Sequence, residues 1–286
     1  MPSDEVTSQP ALSSLHLYPV KALAGSAPAS AVVEPWGLAG DRRWMLADRE
    51  GKAVTQRQYE ALAPASAALL PDGGVRVSAP GRDPLTVAVP DPSAGTVAVD
   101  VFGTKVDAVP AASDADAWFS AYLGADVRLV HMDDPARRRP VDPAYAREGE
   151  TVSFADGFPL LVTTTASLDA LNALIAAGDH ADEGPLPMER FRPSVVVDGT
   201  EAWEEDRWAR IAIGEVSFRV AKPCGRCVVT TTDQRTGVRG KEPLRTLSRH
   251  RRLGSKVIFG QNLVPETTGT LRVGDPFRVL ATRDDV

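Results

Sequence analysis

The sequence predicts an α+β protein dominated by β-structure. Three observations carry that prediction: short alternating or β-branched segments fill the first part of the chain, a strand-like run passes directly into an amphipathic helix in the second, and a hairpin pattern follows. Taken in order, "SLHLYPVKAL", "GDRRWMLAD", "GGVRVSA", "LTVAVP" and "GTVAVDVFG" are cut by Gly, Pro and Asp, as the strands of an all-β barrel or sandwich are. "DADAWFSAYLG" then reads as a short helix, with Trp118, Phe119 and Tyr122 on or near one face and Gly124 as its stop. A domain boundary is set near it. "DDPARRRPVDPAYAREGE", Asp133 to Glu150, has proline and charge without periodicity and reads as a long exposed loop in which Arg137 to Arg139 are solvated.

In the second half, "FPLLVTTTASLDALNALIAAG" predicts a strand reaching Thr165 and a helix with Leu168, Leu171, Leu174 and Ile175 along one side. Ser167 or Thr165 can cap it, and Gly178 can end it. "RFRPSVVVDG" is a strand opened by two arginines, and "ARIAIGEVSFRVAKP" a hairpin turning at Gly214-Glu215. Both cysteines of the chain, Cys224 and Cys227, lie at the end of that hairpin in "AKPCGRCVVTTTD".

Composition narrows the function classes. With 286 residues, 43% hydrophobic and 24% charged, the chain can bury a core without disulfides, and two domains or one large one are expected. Two neighbouring cysteines make no disulfide framework and fit a cytoplasmic location. No secretory signal, N-terminal anchor or membrane-spanning apolar run is read. A net charge of −6 is the wrong sign for general nucleic-acid binding.

The cysteine pair admits several readings. The β-branched "VVTTTD" after it does not start a helix, unlike the segment behind a thioredoxin-type C-x-x-C. Zinc would want four ligands, and His16, His131, His180 and His250 have no metal-ligand spacing. Buried, inert cysteines are one alternative. Against it, Arg226 between the thiols and Lys222 before them create a positive setting that favours thiolate, a nucleophile or soft-metal ligand.

"RFRPSVVVDG", "KPCGRCVVTTTD", "GVRGKEPLRTL" and "FGQNL...GTLRVGDPFRVL", in that order, resemble the MOSC domain found at the C-terminus of molybdenum-cofactor sulfurases. "LYPVKALAGSAPASAVVEPWGLAGDRRWMLAD" resembles the β-barrel domain that precedes MOSC in the mitochondrial amidoxime-reducing component and its bacterial relatives. The resemblance covers nearly the whole chain. It implies a flexible tail over residues 1–10, an N-terminal β-barrel domain over 11–125, and a MOSC domain, a β-barrel with surrounding helices, over 126–286.

The resemblance further implies a molybdenum cofactor, molybdopterin with Mo, whose metal takes Cys227 as its protein ligand and catalytic thiolate, with Arg226 keeping that thiolate ionised. Lys21, Arg42, Arg192 and Arg226 fall on cofactor-contacting basic positions, suited to the pterin's phosphate. Asp156 falls on a position that accepts hydrogen bonds from pterin nitrogens, although a turn before Gly157 would also explain it. Ala22, Gly157, Phe158 and Ser194 depart from the relatives' residue types, so contacts in the pocket differ.

The implied activity is reduction of small N-hydroxylated or N-oxide substrates, with electrons from a separate flavin or iron–sulfur protein and no membrane or nucleic-acid partner. Two alternatives stand beside it. One is a carrier that holds the cofactor or sulfur without turnover; the other is a β-rich module whose basic cluster binds a different phosphorylated ligand, pyridoxal phosphate among them.

Overall fold

The computed structural model describes residues 9–285, so residues 1–8 of the expected tail lie outside the described residues. The architecture is α+β. A curled sheet of eight strands holds, in order, Ala11–Leu15, Val195–Asp198, Leu160–Thr164, Lys256–Pro265, Val216–Gly225, Trp208–Ile213 and Phe277–Thr282, with Arg252–Leu253 also paired to Lys256–Pro265. A second sheet joins Trp44–Asp48, Val127–His131, Thr104–Pro110 and Val97–Val101. Two three-stranded sheets complete the β-structure, Ser66–Leu69 with Val75–Ala79 and Arg82–Val87, and Gly269–Arg272 with Ser30–Glu34 and Gly37–Leu38.

Four α-helices occur among the described residues: α1 (Ser113–Leu123), α2 (Pro135–Arg138), α3 (Thr165–Ala176) and α4 (Leu244–His250). Helix α1 ends where expected, at Gly124 in the left-handed conformation, and buries Trp118 and Phe119 against Val77 and Leu129. Helix α3 begins at the expected strand-to-helix junction but is capped by Thr164, whose Oγ1 accepts from Ser167 N. It is the crossover that lets Leu160–Thr164 and Val195–Asp198 run parallel. The expected hairpin pairs Ile213 with Val216. None of these helices is long and apolar enough to cross a membrane.

The two parts of the chain are interleaved rather than joined in series. Ala11–Leu15 pairs with Val195–Asp198, so Leu12 and Leu15 sit in the core of the second half beside Trp208, Phe218 and Leu263. Ser30–Glu34 pairs with Gly269–Arg272. Conversely Val127–His131, assigned from the sequence to the second domain, pairs with Trp44–Asp48 of the first, because Val127 and Leu129 complete the core beneath α1.

Two expectations need correction. The segment Asp133 to Glu150 is not uniformly an exposed loop: it forms α2, and Arg139 is buried, donating to the carbonyls of Ser153 (3.1 Å), Ala155 and Asp156 (2.7 Å). Three carbonyl acceptors replace the water this guanidinium gives up. The β-branched run after Cys227 does turn helically, as one 3-10 turn over Val228–Thr231. Thr230 and Thr231 make this possible by donating their hydroxyls to the carbonyls of Cys227 and Val228.

Candidate functional site: a cationic cleft around Cys227

Lys21 is placed by backbone pairing with Trp44 (N to O, 2.8 Å) and by the turn that follows at Ala22, whose φ is 71°. Its side chain is buried, and Nζ donates to Phe154 O at 2.8 Å and Asp156 Oδ1 at 2.5 Å. Burial pulls the Lys21 ammonium below its usual pKa, with Asp156 working against the fall. Asp156 keeps its side chain 69% exposed in the cleft; desolvation by the surrounding protein pushes its pKa upward, but the cations Lys21, Arg57 and Arg42 prevail and hold its carboxyl well below the usual carboxylate range.

Arg42 and Arg192 form a second cationic group. Both guanidiniums lie 4.3 Å from the Tyr18 ring. Arg42 is paired with Asp41, which also accepts from Tyr18 N at 2.8 Å. Burial, ahead of all neighbouring charges, pushes the Tyr18 hydroxyl up to about 12. Arg192 differs from Arg42. Its guanidinium has no hydrogen-bond or carboxylate partner among the described residues, and burial pulls its pKa down to about 10, with Arg42 adding to the fall. Ala22, Arg42, Phe102 and Arg192 all have positive φ, and all four line the cleft. Such backbone conformations cost energy and collect at functional sites.

The cysteine segment closes the cleft. Cys224 and Gly225 end the strand Val216–Gly225, Arg226 N donates to Val257 O at 2.8 Å, and Cys227 begins the 3-10 turn. Both thiols are free and half-buried. Arg226 does not face Cys227, as the sequence had suggested: it donates to Cys224 Sγ at 2.9 Å and to Phe191 O at 2.6 Å. The guanidinium at Cys227 belongs to Arg57, with Nη2 3.7 Å from Sγ and 3.9 Å from Asp156 Oδ2, stacked 4.6 Å from the Phe102 ring.

Sequence reasoning missed Arg57, because "TQRQYE" has neither motif nor periodicity. Its neighbour explains its placement. Gln56 is fully buried and ties the first half to the second through Ala22 O (2.6 Å) and reciprocal amide bonds with Gln234 (3.0 and 3.1 Å).

Lys21, Arg42, Asp156, Arg192, Arg226 and Cys227, the residues singled out from the sequence, all line one cleft that is open to solvent. Arg57 makes a fifth cation, and Asp156 is the one carboxylate among the described lining residues. Ser194, also in the lining, accepts from Leu161 N at 3.2 Å. No group of three or more His, Cys, Asp or Glu side chains suited to hold a metal ion occurs among the described residues. Chemically, the cleft offers two soft thiols beside a cluster of anion-binding groups.

Compared with known proteins, the chain matches the MOSC N-terminal beta barrel domain over residues 9–126 and the MOSC domain over residues 149–278. It is 31% identical over 284 residues to mitochondrial amidoxime reducing component 2 of Rattus norvegicus, covering 93% of this chain and 82% of that protein. Component 1 of Homo sapiens is 32% identical over 284 residues, with the same coverage of 93% and 82%. Component 1 of Danio rerio is 34% identical over 252 residues, covering 84% of this chain and 74% of that protein.

Proposed function

The chain belongs to the MOSC family, in the form that carries a MOSC N-terminal barrel ahead of the MOSC domain, and we propose that it is a molybdenum-cofactor-dependent reductase of small N-oxygenated compounds. The observation that carries this reading is Arg192: a guanidinium without a carboxylate partner, on the same cleft as the Cys227 thiol. Unpaired cations beside a soft sulfur suit a group that brings a phosphate and a metal already holding most of its own ligands. The residues present therefore fit the cofactor.

Cys227 would supply the thiolate ligand to molybdenum. Arg192, Arg42, Lys21 and Arg226 would hold the phosphate, Asp156 would accept from ring nitrogens, and Arg57 would offset the negative charge gathered at Cys227. When bound, the cofactor supplies the two-electron chemistry that these side chains lack. The overall reaction takes two electrons and two protons and releases the substrate's N-bound oxygen as water. Phe102, Phe158 and Phe191 give the cleft apolar walls against which a small substrate can be oriented.

The electrons would come from a separate flavin or iron–sulfur protein. A cytoplasmic location rests on the cysteine usage alone, and cell fractionation tests it. The decisive experiment measures molybdenum and pterin per chain and then follows reduction of hydroxylamines, amidoximes and N-oxides with a chemical electron donor. Cofactor near one per chain and turnover of at least one class are expected. Full cofactor with no turnover would make the protein a carrier, and no cofactor at all would overturn both readings.

A further inference from the structure

Although the chain is acidic overall, residues 244–256, "LRTLSRHRRLGSK", hold Arg245, Arg249, His250, Arg251, Arg252 and Lys256 and no carboxylate. They form α4 and the hairpin in which Arg252–Leu253 pairs with the start of Lys256–Pro265. Asp179 partly neutralises Arg245 and Arg249, and Asp206 pairs with Arg251 at 2.6 Å. Arg252 and Lys256 are exposed and have no acidic partner among the described residues. Between them stands Leu253, 58% exposed, so an apolar side chain at the hairpin tip is flanked by free cations. A bare apolar contact with a charged rim is the composition of a protein-docking surface.

This hairpin borders the cleft. Ile258 pairs with Gly225, and Arg226 N donates to Val257 O, so the strand leaving the hairpin is hydrogen-bonded to the segment that carries both cysteines. The aliphatic stem of Lys256 lies over Gly225, where an added Cβ would come within 3.1 Å of Lys256 Cδ. Gly225 itself lines the cleft. A protein seated on the hairpin would thus lie one strand away from Cys227.

We propose that Arg252, Leu253 and Lys256, with α4 behind them, form the docking surface for an acidic electron-donor protein. The charge is complementary to such a donor, and the position shortens the path to the cleft. The inference rests on the reductase reading, but its test need not. Binding of two acidic probes, a [2Fe–2S] ferredoxin and a flavodoxin, is measured for the wild type, for Arg252→Glu/Lys256→Glu, and for Arg76→Glu/Arg128→Glu, which changes net charge equally at exposed positions elsewhere. At least one probe should bind the wild type, weaken as salt is raised, and bind the hairpin variant at least tenfold less tightly, with the control close to wild type. Leu253→Ser should weaken the same probe. Equal binding by hairpin variant and control, or failure of the wild type to bind either probe, would overturn the docking surface. Turnover of the holoenzyme with reduced viologen, unchanged in the hairpin variant, reads the catalytic site separately: its absence from the wild type would count against the reductase reading and leave the binding result to decide the surface.

Discussion

The guanidinium of Arg57 crosses from the first half of the chain to within 3.7 Å of Cys227 Sγ. The arginine inside the C-x-x-C segment serves the other sulfur. The thiol proposed as metal ligand is therefore attended by a residue far from it in sequence.

Arg57→Gln should lower turnover about tenfold, equivalent to ~1.4 kcal/mol of activation free energy, while Arg57→Lys retains part of the rate. The side chain is exposed on the cleft wall, so the urea midpoint should scarcely move. Wild-type rates in Arg57→Gln would remove this residue from the working site.

Arg192→Glu should weaken cofactor retention by at least tenfold, because it removes a charge-assisted contact worth ~1.5–3 kcal/mol and adds repulsion. Molybdenum and pterin remaining after dialysis are the readout. Retention at the wild-type level would mean that another cation holds the phosphate.

The two cysteines should separate. Cys227→Ser replaces a soft ligand by an un-ionised hydroxyl, so turnover should nearly vanish and the molybdenum spectrum should change even where pterin is retained. Cys224→Ser loses only an acceptor for Arg226, at a stability cost of ~1–2 kcal/mol, and should keep most turnover. Equal loss in both variants would point to a two-cysteine site.

His131 gives a pH signature unrelated to the cofactor. Burial, then Arg43, lowers its pKa from 6.5 to about 4, and its ring packs 4.5 Å from Trp44. Between those values the unfolded chain binds the extra proton, so this contribution is fully present above pH 6.5 and falls as pH drops toward 4. His131→Phe should flatten that part of the stability profile, on the order of 2–3 kcal/mol over the window by linkage. Urea midpoints at several pH values measure it, and an unchanged slope would place the titration elsewhere.

What the sequence disclosed, and what it withheld, follows from the range of the forces involved. Helix α1 with its Gly124 stop, the passage from Leu160–Thr164 into α3 and the Gly214 hairpin were legible because local pattern and tertiary burial agree there. The interleaving of Ala11–Leu15 with Val195–Asp198 was not, because alternation predicts a strand without naming its partner. At the cleft, Lys21, Arg42, Asp156, Arg192, Arg226 and Cys227 were found through motifs, and the geometry brings them together. Arg57 reaches the cleft through the Gln56–Gln234 amide pair, and Arg139 turns inward to three carbonyls. Both are products of tertiary contact that leave no local signature.

The pairing of the first strand with Val195–Asp198, far along the chain, also sets an order on its making. Leu12 and Leu15 emerge from the ribosome long before their partners Val195–Asp198 have been translated, and Ser30–Glu34 waits longer still for Gly269–Arg272. Until then the nascent polypeptide carries an apolar edge with nothing to cover it, a state that invites chaperone capture. The cleft, whose walls run from Lys21 to Asn262, is complete only when translation is nearly over, so whatever ligand it takes meets a finished protein and not a growing one.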